Sequence, residues 1–220
     1  MSATGRGAER SPADYYPTPA WCVRRILEAV PLPTDGYWLE PSAGDGAIIR
    51  AANDVRLGLV WRAWELREEC RASLHPLCAD LEIGDFLATP IGEIGHHDVA
   101  ILNPPFTHAL AFVQRCLAVA DHVLVLERLN WLEGEERAGW LREHAPDVYV
   151  LPNRPSFTGE GTDATGYAWL HWPAGGHDRR IGALSVLPTT SVEERNADPR
   201  QMRIPGLDEP AQPALDFGAP

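Results

Sequence analysis

The chain contains no lysine: all 19 of its basic residues are arginine, set against 31 acidic residues for a formal net charge of −12. Tight, indiscriminate binding to a polyanion requires many neutralised phosphates and released counterions, so this balance excludes a protein that coats nucleic acid nonspecifically. A local basic face stays open. Arg24, Arg25, Arg128 and Arg154 are its candidates, with ordinary solvated surface as the competing reading of the same residues. Cysteine is also scarce, and Cys22, Cys70, Cys78 and Cys116 form no CxxC pair and have no histidine at zinc-ligand spacing. They read as reduced core thiols, and no metal is expected. No apolar run approaches the roughly 20 residues of a membrane-spanning helix. The opening MSATGRGAERSPAD lacks the apolar stretch of a signal peptide. A cytoplasmic protein without a membrane partner is the expectation.

What is present suits one domain and a tail: 220 residues, 45% hydrophobic and 23% charged. Residues 1–13 are polar and rich in Gly and Ala, which predicts disorder. The folded domain is expected over 14–176, and 177–220, rich in Pro, Ala, Asp and Glu, reads as a largely flexible tail with a brief apolar island at Ile181 to Leu187. Thr18-Pro19 reads as a helix start, with Val23, Ile26, Leu27 and Val30 at helical spacing behind it. Short apolar strands then alternate with helical segments: Tyr37 to Leu39, Leu59 to Leu66, Leu81 to Gly84, Asp98 to Leu102 and His122 to Glu127. The last of these is apolar enough to be buried on both faces of a parallel sheet. Asp147 to Leu151 and Tyr167 to Trp172 are expected to close the sheet as an antiparallel pair. Such an order implies an α/β three-layer sandwich.

In a parallel sheet, ligands bind where loops converge at the carboxyl ends of the strands. Four predicted strand ends carry unusual residues. The first is Glu40-Pro41-Ser42-Ala43-Gly44-Asp45-Gly46, where two glycines let the backbone pass close under a ligand. Flanking carboxylates make it a poor phosphate cradle and suit an ammonium or sulfonium cation. Glu65 ends the second strand, where a carboxylate accepts both hydroxyls of a ribose. At the third end, Asp85 is placed to accept from an adenine amino group while Phe86 packs on the ring. A plain turn, a surface glutamate and a helix cap are the bland alternatives for these three. The fourth end, Asn103-Pro104-Pro105-Phe106, is the most specific. Two prolines stiffen the backbone and remove two donors, which leaves a carboxamide, a rigid carbonyl and an aromatic face as a socket for a planar amine.

On these residues the chain resembles the S-adenosylmethionine-dependent amino-methyltransferases, in particular the small phage-type DNA N6-adenine methyltransferases. The likeness covers most of residues 14–172. Tyr16-Pro17-Thr18-Pro19 resembles the family's opening cofactor-contact motif, Glu40 to Gly46 its methionine-binding loop, Glu65 its ribose contact and Asp85-Phe86 its adenine contact. Asn103 to Phe106 is similar to the catalytic motif, and Arg154 to Gly159, running on to Tyr167-Ala168-Trp169, to the loop beside the extruded base. The resemblance implies a Rossmann-like class I methyltransferase with a mostly parallel seven-stranded sheet, using S-adenosylmethionine to methylate the N6 amine of adenine in DNA. Asn103 and Pro104 would grip the amine hydrogens and Phe106 would stack on a flipped base.

Asn-Pro-Pro-aromatic is shared with enzymes acting on RNA adenine and on protein glutamine, so those acceptors form the first alternative. A non-catalytic cofactor-binding protein is the second. Sequence choice would fall to loops at 128–146 and 152–166, with Arg128, Trp131, Arg154 and Phe157 as candidate substrate contacts. For Trp131 and Trp140, packing on one side of a short helix competes with stacking between bases. The acidic total charge suggests a single strand, a protein partner or a homodimer to support DNA binding. His96-His97 read as a solvated turn, not a metal site.

Overall fold

Helix α1 (Ala20–Ala29) buries Trp21, Cys22, Val23, Ile26 and Leu27 as one stripe, as the helical spacing predicts. In this computed structural model, which describes residues 17–157 and 164–197, the helix start is shifted by one residue from the sequence reading. Pro19 occupies the N-cap position and no side chain caps the helix. The Thr18 hydroxyl is therefore not spent on α1.

The strands are β1 (Gly36–Glu40), β2 (Leu59–Glu65), β3 (Asp80–Ile83), β4 (His97–Leu102), β5 (Ala120–Arg128), β6 (Asp147–Leu151), β7 (Tyr167–Trp172) and β8 (Leu184–Val186). They form one sheet in the order β3-β2-β1-β4-β5-β7-β6-β8. The first five pair in parallel, β7 runs antiparallel between β5 and β6, and β8 pairs parallel to β6. This corrects the expected seven strands to eight. The extra strand is the Ile181 to Leu187 island, read from sequence as tail. It carries no burial alternation, because all three of its residues are exposed at a sheet edge. What anchors it is the residue after the strand: Leu187 is 4% exposed and its N–H donates to the Val150 carbonyl at 2.9 Å. Beyond it, α7 (Val192–Asn196) returns to α1 through Arg25, whose Nη2 meets Glu194 at 2.6 Å.

Two apolar layers sandwich the sheet. On one side α1 and α2 (Ala47–Asn53) pack on Trp38, Trp61, Val99, Ile101, Leu124 and Trp169. On the other, α5 (Ala109–Leu117) packs on Leu39, Trp64, Ala100, Leu102, Val123 and Val125. Strands of this kind bury both faces, which is why they read as continuous apolar runs and not as alternating ones. Because β1 lies between β2 and β4, the chain leaves it in both directions, and a crevice opens at the carboxyl ends of β1 and β4. Two minor helices, α3 (Arg71–Leu74) and α4 (Ile91–Ile94), complete the connections on this half, and α6 (Glu135–Glu143) follows β5.

If residues 184–196 are part of the fold, trimming their one buried apolar anchor must cost stability. Leu187→Ala is expected to lower unfolding stability by about 2–3 kcal/mol, as for a buried leucine elsewhere. Urea unfolding of the full chain measures it, and an unchanged midpoint would return this segment to tail.

Candidate active site

The β1–α2 loop turns through two left-handed glycines, Gly44 at φ +58° and Gly46 at φ +89°. The positive φ is what favours glycine at Gly46; a Cβ there would also lie 2.6 Å from Leu77 Cδ1, which that side chain would have to shift to admit. The loop is held from the neighbouring strand. Ala43 N–H donates to the Trp64 carbonyl at 2.9 Å, and Gly44 N–H donates to Glu65 Oε2 at 2.7 Å.

Three carboxylates gather around this turn. Asp45 pairs with Arg50 at 2.7 Å. Glu65 is clamped by Arg67, whose Nε donates to Oε1 at 2.7 Å. Glu40, 2% exposed, has no such cation, and its buried Oε2 has no hydrogen-bond partner. Burial above all, then the nearby charge of Asp45, holds the Glu40 carboxyl well above the usual carboxylate range, against the smaller opposing pull of Arg50. A crevice wall with one uncompensated buried carboxyl is suited to receive a cation.

The cavity these residues line measures about 300 Å³, the lower end of the range for small-molecule sites. It draws in Thr18, Glu40 through Asp45, Glu65, Asp85, Phe86, Asn103 and Pro105, so the structure brings together the loops that the sequence reading assigned to one ligand. Asp85 is exposed at the rim, where its Oδ1 accepts from Leu87 N–H at 2.8 Å and caps the following turn. Phe86 is 2% exposed, stacked on Phe112 at 5.6 Å and edge-on to Trp64. It forms floor, with its ring committed to the core.

At the end of β4, Asn103 Nδ2 donates to the Thr18 hydroxyl at 3.1 Å. That bond directs the nitrogen end of the carboxamide toward Thr18. Pro105 lines the cavity, whereas Pro104 is buried, Phe106 is half-buried, and neither of the two lines it. The Arg128 guanidinium lies 4.2 Å from the Phe106 ring centroid, and its Nε donates to the Tyr167 hydroxyl at 3.0 Å. Phe157 packs on Tyr167 at 5.1 Å.

Other assignments change or fall elsewhere. Tyr16 lies outside the described residues. Trp131 is 6% exposed, its carbonyl accepts from Arg137 Nε, and the Arg137 guanidinium stacks on its ring. These contacts favour packing, the competing sequence reading of Trp131, with the indole enclosed by a residue of α6. Arg25 donates to Thr190, Glu28 and Glu194, whereas Arg154 is exposed. His97 is not at a solvated turn but buried as the first residue of β4, while His96 is exposed beside Asp121. Among the described residues no group of three His, Cys, Asp or Glu is placed to hold a metal, and no helix is long and apolar enough to cross a membrane.

Sequence reasoning missed Arg67, His108 and Phe112, which also line the cavity. Phe112 was visible only as one member of an apolar helical face. Glu127, the acidic residue near the end of β5, is buried outside the cavity lining.

The chain matches no protein-family model and no curated protein sequence. Its fold does match solved structures. A proposed RNA methyltransferase from Pyrococcus horikoshii superposes with a TM-score of 0.54 at 16% identity, covering 77% of this chain and 91% of that one. The modification subunit of a proposed type I restriction enzyme from Vibrio vulnificus gives 0.54 at 17% identity, over 77% of this chain and 45% of the subunit, so this chain spans under half of that protein. A proposed class I S-adenosylmethionine-dependent methyltransferase from Listeria monocytogenes gives 0.53 at 11% identity, over 81% and 65%. The fold is the Rossmann-like fold of the class I methyltransferases.

Burial pushes the Glu127 carboxyl up from its ordinary 4.5 to about 8, while the Arg128 N–H and charge oppose this weakly. A carboxyl that binds its proton more tightly when folded adds stability in full below its ordinary value and loses it as pH rises through the folded one. Between those two values the wild type should lose up to about 1.4 kcal/mol per pH unit that Glu127→Gln does not lose. Melting curves from pH 5 to pH 9 test this: the variant should gain on the wild type steadily with pH, and parallel curves would contradict it.

Proposed function

We propose that this chain is an S-adenosylmethionine-dependent methyltransferase acting on the exocyclic N6 amine of adenine in DNA by direct in-line displacement. The observation that carries the reading is Asn103 at the crevice, its carboxamide nitrogen held on Thr18 at 3.1 Å beside the acid-rich glycine turn.

The residues fit the cofactor. Glu40, buried and lacking a compensating cation, suits its ammonium group, and the two left-handed glycines let its chain lie against the backbone. Glu65 accepts from Gly44 N–H on Oε2 and from both the N–H and Nε of Arg67 on Oε1, which leaves a lone pair on Oε2 for one ribose hydroxyl, and Asp85 stands at the rim for the adenine. The bound sulfonium supplies an already activated methyl group, so positioning of donor and acceptor supplies the main catalytic effect.

On the acceptor side, an aromatic amine is a poor nucleophile because its lone pair is delocalised into the ring. Asn103 Oδ1 and the Pro104 carbonyl accept its two hydrogens, which turns the nitrogen toward tetrahedral geometry and localises that pair. Neither proline has an N–H to compete for the same atoms. Phe106 supplies the aromatic face for the base, which in a duplex must first leave the stack at a cost of a few kcal/mol. The resemblance of Asn103 to Phe106 and of Arg154 to Trp169 to the phage-type enzymes favours DNA adenine over other amines.

Two experiments follow. With labelled cofactor offered to separate DNA, RNA and protein pools, label should enter N6-methyladenine of DNA, and Asn103→Ala should cut the rate about 10²–10³-fold, as losing one positioned polar group does elsewhere. Label entering only RNA or glutamine would move the reading to that acceptor, and none in any pool would end it. The second uses pH. Because burial holds the Glu40 carboxyl well above the usual carboxylate range and an ammonium beside it would bring it down, cofactor binding should release a proton, and affinity should rise with pH across and above that range. Glu40→Gln should bind more weakly and with that slope abolished. Calorimetry in buffers of differing ionisation enthalpy counts the proton.

A further inference from the structure

Glu65 ends β2 at the cavity wall, where two vicinal ribose hydroxyls would need an open position on each carboxylate oxygen, and its carboxylate is already largely used. The residue is 6% exposed, and its donors come from two sides. From its own strand end, the N–H and the Nε of Arg67 both donate to Oε1, at 3.1 and 2.7 Å. From the β1–α2 loop, Gly44 N–H donates to Oε2 at 2.7 Å. A carboxylate oxygen offers two lone pairs, so Oε1 is filled and Oε2 half filled. The backbone on both sides is anchored. Arg67 opens the short helical turn Glu68–Cys70, where its carbonyl accepts from Cys70 N–H at 3.2 Å, and the Glu65 carbonyl accepts from Gly84 N–H at 2.9 Å. Glu65 and Arg67 both line the cavity, so the ion pair is part of the wall a nucleoside meets.

We propose that Arg67 makes this a one-hydroxyl site: by filling Oε1 it leaves the carboxylate a single acceptor position, so one ribose hydroxyl of the cofactor is bonded through Oε2 and the other is not required. This inference rests on the methyltransferase reading above and concerns its cofactor side alone. A carboxylate with both oxygens open takes two vicinal hydroxyls, one on each, and then loses affinity for a ligand lacking either. Here the arginine has taken one of those places. Arginine suits the role because its backbone N–H and Nε reach the same oxygen from one residue, and its fixed charge compensates the buried carboxylate. The ligand class narrows accordingly, to an adenosyl group with one hydroxyl correctly placed, and the matching monodeoxy form is accepted as readily as the ribose form.

Calorimetric titration of the full chain with S-adenosylhomocysteine and with its 2′-deoxy and 3′-deoxy forms tests this by binding alone. Wild type should hold one deoxy form within about twofold of the parent and the other about tenfold more weakly, the scale of a lost hydrogen bond to a charged group. In Arg67→Ala the backbone N–H of that residue still occupies one lone pair of Oε1 while the other opens. The deoxy form that wild type tolerates should therefore become several-fold weaker than the parent in this variant. Taking each ratio against the parent ligand on the same protein removes any general loss from the missing cation beside Glu65. Weakening of both deoxy forms on wild type, or of neither, overturns the proposal, and that comparison stands even if Arg67→Ala does not fold. An unchanged ratio in folded Arg67→Ala overturns the role of Arg67. Failure of wild type to hold S-adenosylhomocysteine at all overturns instead the reading beneath it.

Discussion

The hydrogen bond from Asn103 to the Thr18 hydroxyl sets the chemical sense of the crevice. A carboxamide has a donor end and an acceptor end of nearly equal size, and nothing in its shape decides which one faces a ligand. Thr18 decides it by taking the nitrogen. It is available to do so because α1 starts at Ala20 with Pro19 at its N-cap and needs no side-chain cap. The bond in turn depends on where α1 lies. Trp169 Nε1 donates to the Cys22 carbonyl at 3.0 Å, and Arg56 gathers the carbonyls of Leu27 and Leu32 beyond the other half of the helix. A helix fastened at these points keeps Thr18 opposite Asn103, so packing far from the chemistry fixes a polarity at its centre.

Electrostatics complete the other half of the crevice by leaving it short of one positive charge. Asp45 has Arg50 and Glu65 has Arg67, but Glu40 is buried among carboxylates without a cation of its own. Burial holds its carboxyl well above the usual carboxylate range, because burying an unpaired charge costs several kcal/mol. A cation at this wall would favour the anion. The same shared contacts tie the loops into one wall, since Glu65 accepts from Gly44 across the β1–β2 boundary. Binding and folding therefore draw on the same carboxylates.

Much of the donor half was legible in the sequence because it is local. Helix α2 over Ala47–Asn53 and the antiparallel closing strands over Asp147–Leu151 and Tyr167–Trp172 follow from short apolar runs bounded by turn residues. The glycine turn could be read because left-handed backbone leaves a mark in residue type. What escaped was settled by distant partners. The strand at Leu184–Val186 is recognisable only through Val148, Tyr149 and Val150, which it pairs with. Thr18 looked like a cap because threonine before proline usually is one, and only the approach of β4 gives its hydroxyl another partner. Trp131 has the composition of a base contact, and Arg137, six residues on, encloses it. His97 follows a polar residue yet enters a buried strand, where burial lowers its tendency to take a proton.

The acceptor half is built differently, and the difference follows from charge. Of the four arginines read as candidates for a phosphate-binding face, Arg25 is engaged by Glu28 and Glu194, and Glu194 comes from the segment read as tail. Arg128 is engaged too, stacked on Phe106 and bonded to the Tyr167 hydroxyl. A long basic track is therefore not the means of recognition under the proposed reading. An acidic protein approaches a strand against its own repulsion, and only groups that gain on close contact can offset it.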